Sequence, residues 1–239
     1  MQNGLYVSLS AQVSLERRLE TVANNVANMN TVGFRGDGVH FSTELAKAGD
    51  SSISYVSPGA SYISRDAGPS TKTDNPLDVA VQGDGWMAIQ TASGIAYTRD
   101  GRMRMADSGA LETLIGNPVL DAGGAPIVLD PAGSTPAIGG DGMISQDGRQ
   151  VGAIGLFAID DQANLVRTEN SGVIPDKPAT PILDFTRNGL AQGYVEGANV
   201  NPIEEMTKLI SLTRNFDGVN SEVTQTESSM EEAIKSLAT

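Results

Sequence analysis

Ala23-Asn24-Asn25-Val26-Ala27-Asn28-Met29-Asn30-Thr31-Val32-Gly33-Phe34-Arg35 marks the place where the texture of this chain changes, and its reading decides the fold. Upstream of it, alternating steps of four and three residues pick out Met1, Leu5, Ser8, Gln12, Leu15, Leu19, Val22, Val26 and Met29, seven of the nine apolar. That a/d spacing predicts an amphipathic helix of coiled-coil type, roughly 40 Å long at ~1.5 Å per residue. The helix should end near Asn30-Thr31-Val32-Gly33, where glycine takes up a left-handed cap. The asparagines at 24, 25, 28 and 30 suit such an end, because each amide donates and accepts at once.

Downstream, Gly and Pro concentrate between Gly33 and Pro202 and are nearly absent from both ends. Residues 36–75, rich in Ser, Gly and Thr, read as an extended connecting arm, and residues 187–202, with Gly189, Gly193 and Gly197, as the return arm. Between them, residues 76–186 carry short alternating stretches. Turn signals interrupt them about every ten residues: Gly83-Asp84-Gly85, Asp100-Gly101, Asp107-Ser108-Gly109, Gly116-Asn117, Gly123-Gly124, Asp141-Gly142 and Asp147-Gly148. That cadence predicts hairpins in an antiparallel β domain. Past Pro202 the helical spacing returns in Met206, Leu209, Thr213, Phe216, Asn220, Val223, Glu227, Met230, Ile234 and Leu237, with Asn201 as N-cap and Glu204 and Glu205 in the first turn. Gly218 is the weak point of that helix. The expected fold is therefore mixed α and β. Long helices at residues 1–35 and 203–239 pack as a coiled-coil-like pair, with a mainly antiparallel β domain inserted between them.

Composition narrows the function. Sixteen Lys plus Arg against 29 Asp plus Glu leave a net charge of −13, which repels phosphate backbones and makes nucleic acid a poor partner. The charge is unevenly placed: residues 1–35 carry +1, residues 203–239 carry −4, and the middle carries −10. With no cysteine and the single histidine His40, disulfides, thiolate zinc sites and triads lack material; carboxylate, Lys, Tyr or hydroxyl chemistry is what composition leaves, and no cofactor, metal site or catalytic residue is singled out. His40 beside Phe41 reads as a surface or interface residue. The Asp-Gly pairs lack the spacing of a calcium loop, and Gly83-Asp84-Gly85 is followed by a strand, not by the helix of a dinucleotide site. The longest apolar run, residues 151–159, is too short to span a bilayer, and the start lacks the pattern of a cleaved signal peptide.

The run from Ala23 to Arg35 resembles the signature of bacterial flagellar basal-body rod and hook proteins. The resemblance continues in Asn75-Pro76-Leu77-Asp78-Val79-Ala80-Val81-Gln82-Gly83-Asp84-Gly85-Trp86, in Tyr97-Thr98-Arg99-Asp100-Gly101, and in Gln192-Gly193-Tyr194-Val195-Glu196-Gly197-Ala198-Asn199-Val200. The stretch from Glu204-Glu205-Met206 to Arg214-Asn215-Phe216 is similar to the family's closing helix. Length and the start Met1-Gln2-Asn3-Gly4-Leu5-Tyr6 look most like proximal-rod members; distal-rod and hook proteins are usually longer, and Val7-Ser8-Leu9-Ser10-Ala11-Gln12 departs from the distal type.

The resemblance implies a structural, non-enzymatic axial protein. Its terminal helices would form an inner tube, its β domain would face outward, and its partners would be other rod proteins, copies of itself and the flagellar type III export apparatus. Neither nucleic acid nor direct membrane insertion is expected, and the location would be the rod across the periplasm. The expected assembly interface comprises Leu5, Leu15, Leu19, Val22, Asn24, Asn25, Val26, Asn28, Asn30, Thr31, Gly33, Phe34, Met206, Leu209, Phe216, Val223, Met230, Ile234 and Leu237. The asparagines would fix register between subunits, as buried polar residues do in coiled coils. The alternatives are a distal-rod or hook-type member and, from another class, a secreted cell-wall-associated β-domain enzyme or binding module.

Overall fold

The heptad-like spacing before residue 30 yields α1 (Gln2–Asn28) in the computed structural model, which describes residues 2–40, 43–48, 51–56 and 60–237, with side chains at 8–40, 60–225, 228–229 and 235–236. The helix stops at Asn28, where the Thr31 amide turns back to the Asn28 carbonyl at 2.9 Å. Gly33 is left-handed at φ +68, but it lies beyond the helix and serves a close backbone approach instead of a cap.

Strands follow in chain order: β1 (Asp37–His40), β2 (Thr43–Ala48), β3 (Ser51–Val56), β4 (Ala60–Ile63), β5 (Ser70–Lys72), β6 (Val79–Gln82), β7 (Trp86–Thr91), β8 (Gly94–Thr98), β9 (Met103–Met105), β10 (Leu111–Thr113), β11 (Ala137–Ile138), β12 (Met143–Gln146), β13 (Arg149–Ala153), β14 (Leu156–Ala158), β15 (Leu165–Arg167), β16 (Val173–Pro175), β17 (Thr180–Pro181), β18 (Gly189–Gln192) and β19 (Tyr194–Glu196). The chain closes with α2 (Pro202–Leu237), whose Asn201 side chain accepts from the Ile203 and Glu204 amides.

Two compact units share these elements. One takes Met1–Ala27, Asp37–Tyr62 and Asn201–Thr239; the other takes Asn28–Gly36 and Ile63–Val200. In the first, β2 and β3 form a hairpin from Thr43↔Val56 to Ala48↔Ser51. In the second, a six-stranded sheet runs β15-β16-β8-β7-β14-β17, antiparallel throughout. Its central strand β7 is covered on both sides. Met87 and Ile89 enter the main core with Val79, Leu111, Ile144 and Leu156, while Trp86 and Ala88, on the alternate face, enter two smaller clusters.

The fold-class expectation is corrected here. Nineteen strands lie between the two helices among the described residues, so the protein is mainly β with one helix at each end. The two helices touch, through Asn25 and Glu205, but only part of the predicted α2 seam, Leu209, Phe216 and Val223, lies on its less exposed face. In α2, Met206 is 44% exposed, Thr213 and Asn220 are exposed, and Leu212, off the seam, is buried. The less exposed face is Glu205, Leu209, Leu212, Phe216, Val219 and Val223, which keeps the four-three step but starts on a charged residue. Apolar counting skipped Glu205 and began one residue late. The seam positions Met1, Leu5, Glu227, Met230, Ile234 and Leu237, and Phe41 beside His40, lie outside the described residues or side chains. Gly218 needs no glycine for space, since a Cβ there would meet nothing within 4 Å. No helix of the described residues is long and apolar enough to cross a membrane.

The turn chemistry is as the sequence reads. Asp147 and Gly148 both sit at positive φ, +52 and +74, joining β12 to β13 as a two-residue hairpin loop requires. Nothing lies within 4 Å of a Cβ built on Gly148, so its replacement tests backbone strain alone. Gly148→Ala is expected to cost about 1 kcal/mol in urea unfolding without altering the core.

Candidate functional site

The run that ends α1 is used twice, once in each unit. In the unit holding residues 28–36, the segment Val32-Gly33-Phe34-Arg35 is pinned residue by residue. The Gly33 amide donates to the Glu196 carbonyl at 2.7 Å, and the Gly36 amide donates to Asn199 Oδ1 at 2.7 Å. Gly33 passes so close to Arg99 and Asp100 that a Cβ would lie 2.2 Å from the Asp100 nitrogen, so no other residue fits. Phe34 is buried with the Arg167 guanidinium 4.3 Å from its ring centre.

Arg35 is the most consequential of these. It is 1% exposed, and its Nη2 stands 2.7 Å from Glu196 Oε1. Arg99, equally buried, reaches Glu196 Oε2 at 3.1 Å and donates to the Gly83 carbonyl at 2.7 Å. Glu196 Oε1 also accepts from the Gly68 amide at 2.9 Å. One carboxylate thus serves two guanidiniums, leaving a surplus positive charge out of water. Trp86 eases that surplus: both guanidinium carbons lie within 6 Å of its ring centre, at 5.7 and 5.3 Å, where the negative π face attracts a cation. Burial lowers the pKa of both arginines. For Arg99 burial acts first and the neighbouring Arg35 charge second, bringing it to about 10, so Arg99 remains a cation at neutral pH.

In the other unit the asparagines act on Asp37. Asn25 Oδ1 accepts from the Asp37 amide at 2.7 Å, and its Nδ2 donates to the Asp37 carbonyl at 2.9 Å, so one side chain imitates a strand neighbour for β1. The same Nδ2 lies 3.3 Å from Glu205 Oε2 on α2, and Glu205 also accepts from Lys208 at 2.7 Å. Asn24 Nδ2 donates to Asp37 Oδ2. Asn25 therefore ties α1, β1 and α2 together from a buried position.

Of the residues proposed from sequence, Val22, Asn25, Gly33 and Phe34 are buried. Leu15, Leu19, Asn24, Val26, Asn28, Thr31, Leu209, Phe216 and Val223 are half-buried, and Asn30 and Met206 are exposed. The side chains of Leu5, Met230, Ile234 and Leu237 lie outside the description. Asn24 and Asn25 join Asp37, Asn28 joins Thr31 at 3.3 Å, and Gly33 and Phe34 join the arginine knot. Sequence reasoning missed the roles of Arg35, Arg99, Glu196, Asp37 and Glu205. The available signal was a lone charge inside a stretch otherwise suited to burial, as in Tyr194-Val195-Glu196-Gly197.

Comparison with known proteins bears on these charges directly. Residues 5–35 match the family model described as flagella basal body rod protein, residues 80–146 the flagellar hook protein FlgE/F/G D1 domain, and residues 191–237 the flagellar basal body rod FlgEFG protein C-terminal. A flagellar basal-body rod protein FlgF of Mesorhizobium japonicum is 50% identical over 99% of this chain and 98% of its own length. That of Rhizobium meliloti is 44% identical over the same shares, and FlgG of Bacillus subtilis is 30% identical over 98% of each chain. The chain belongs to the flagellar basal-body rod proteins. This rod protein is a structural component of the FlgF, proximal-rod type. Its three matched segments contribute one charge each to the buried knot: Arg35 from the first, Arg99 from the second and Glu196 from the third.

Two substitutions test the geometry. Glu196→Gln strands both buried guanidiniums and is expected to cost about 3–5 kcal/mol. It is read in urea unfolding through the emission of Trp86, the chain's single tryptophan. Asn25→Ala leaves the Asp37 backbone pair and Glu205 short of a partner, and a loss of about 2–4 kcal/mol is expected in the same measurement.

Proposed function

We propose that this rod protein joins the hollow axial shaft of the flagellum through its terminal helices, with its β-rich part outward, transmitting torque and leaving a channel for exported subunits. The observation that carries this reading is that α2 has two apolar faces. Glu205 and Leu212 turn toward α1, by the bond from Asn25 and a cleft of about 200 Å³ that Leu212 lines with Arg18. Ile203, Met206 and Ile210 fall roughly opposite at ~100° per residue, and are 79%, 44% and 56% exposed. On α1, Leu9 and Val13 are likewise exposed at 51% and 41%, away from the buried Ser14, Val22 and Asn25. A helix apolar on opposite sides is suited to burial on both. A subunit with such helices gains by acquiring neighbours.

The neighbours in this proposal are further copies and other rod proteins. The half-buried Leu15, Leu19, Leu209, Phe216 and Val223 would hold the helices of one subunit, while Met206, among the expected interface residues, would face the next. Delivery through the flagellar export apparatus, to a rod crossing the periplasm, completes the proposal and follows from what the family resemblance implies.

The test is a double substitution, Ile203→Asp with Ile210→Asp. Both side chains are exposed, so the purified subunit is expected to unfold within ~1 kcal/mol of wild type while incorporation into isolated basal bodies and swimming in soft agar are lost. Normal incorporation of the double variant would remove the basis of the proposal.

A further inference from the structure

The hairpin joining β15 to β16 carries a conformational oddity. Residues 169–172 form its turn, closed by the Gly172 amide on the Glu169 carbonyl at 2.9 Å and the Thr168 amide on the Gly172 carbonyl at 2.9 Å. Both central residues, Asn170 and Ser171, sit at positive φ, +56 and +51. A turn of this kind favours Asn-Gly, because serine resists the left-handed region and glycine does not. Asn170 suits its position, although its Nδ2 is buried without a partner. Ser171 is the residue that needs an explanation.

Its hydroxyl supplies one. Ser171 Oγ donates to the Val32 carbonyl at 2.8 Å, across 139 residues of sequence. The same hairpin sends Arg167 Nη2 to the Arg35 carbonyl at 2.6 Å and lays the Arg167 guanidinium over Phe34. The turn is itself anchored from behind, since Thr98 Oγ1 donates to the Asn170 carbonyl at 2.7 Å. The hairpin therefore reaches the segment 32–35 at both ends and at the aromatic ring between, and two of its three contacts take backbone carbonyls.

We propose that the 165–175 hairpin is a strap over residues 32–35, and that Ser171 is kept in the left-handed region because its hydroxyl is the buckle. Glycine would relax the turn and release the segment. The strap secures the exit of α1 independently of the buried ion pairs, which act on the Arg35 side chain and not on the backbone at residues 32 and 35. It concerns the subunit alone, so it stands or falls apart from the proposal on rod assembly.

Amide hydrogen exchange of the purified full chain tests it with Ser171→Gly, Ser171→Ala and Asn170→Gly. The reporters are the Gly33 and Gly36 amides, whose own partners, the Glu196 carbonyl and Asn199 Oδ1, are untouched by these changes. Both Ser171 variants are expected to speed exchange at Gly33 and Gly36 by about tenfold while the amides of β7 keep their rates. Asn170→Gly relaxes the turn, removes the unpartnered amide and leaves the hydroxyl, so it is expected to leave Gly33 and Gly36 unchanged and to raise the melting temperature. Wild-type rates at Gly33 and Gly36 in the folded Ser171 variants would overturn the proposal. So would a rise in melting temperature with Ser171→Gly matching that of Asn170→Gly.

Discussion

Two guanidiniums held by one buried carboxylate form the constraint on which the strand-rich unit depends. Arg35, Arg99 and Glu196 come from three distant parts of the chain, and none of them tolerates burial alone. Their mutual need sets where each segment must run: β19 beside the end of β8, and the exit of α1 against both. Glycine at position 33 is a consequence, because the exit segment must approach the backbone of Asp100 closely enough for Arg35 to reach Glu196. Trp86 is a second consequence, since its ring attracts the surplus charge without adding another ion.

The other unit relies on amide geometry instead of charge. Asn25 satisfies a strand's backbone from a helix, and the same side chain touches the start of α2. The asparagines of the signature are thus spent largely within one subunit, on Asp37, Glu205 and Thr31. Among them Asn30 is exposed.

Much of this was legible in residue order. The existence of both terminal helices, the Asn201 cap and the Asp147-Gly148 turn follow from local chemistry that acts within a few residues. The family was legible too, because its motifs are dense. What stayed hidden depends on contacts between segments far apart. Period alone could not say that the buried face of α2 begins at Glu205 and not at Met206, since a charged residue is normally placed outside until its partners Asn25 and Lys208 are known. Nor could it distinguish Arg35 and Arg99 from ordinary surface arginines. Their burial is visible only once Glu196 stands between them.

The contact between Asn25 and Glu205 spans 180 residues of chain, and this has a consequence in time. A polypeptide emerging from its N-terminus makes α1 long before α2 exists, so the first unit has no second helix to complete it until nearly the whole protein is available. The strand-rich unit has all its residues by position 200, before the last helix begins. Completion of the two units is therefore staggered by the order of the chain itself, and the unit that holds both helices is the last to be finished.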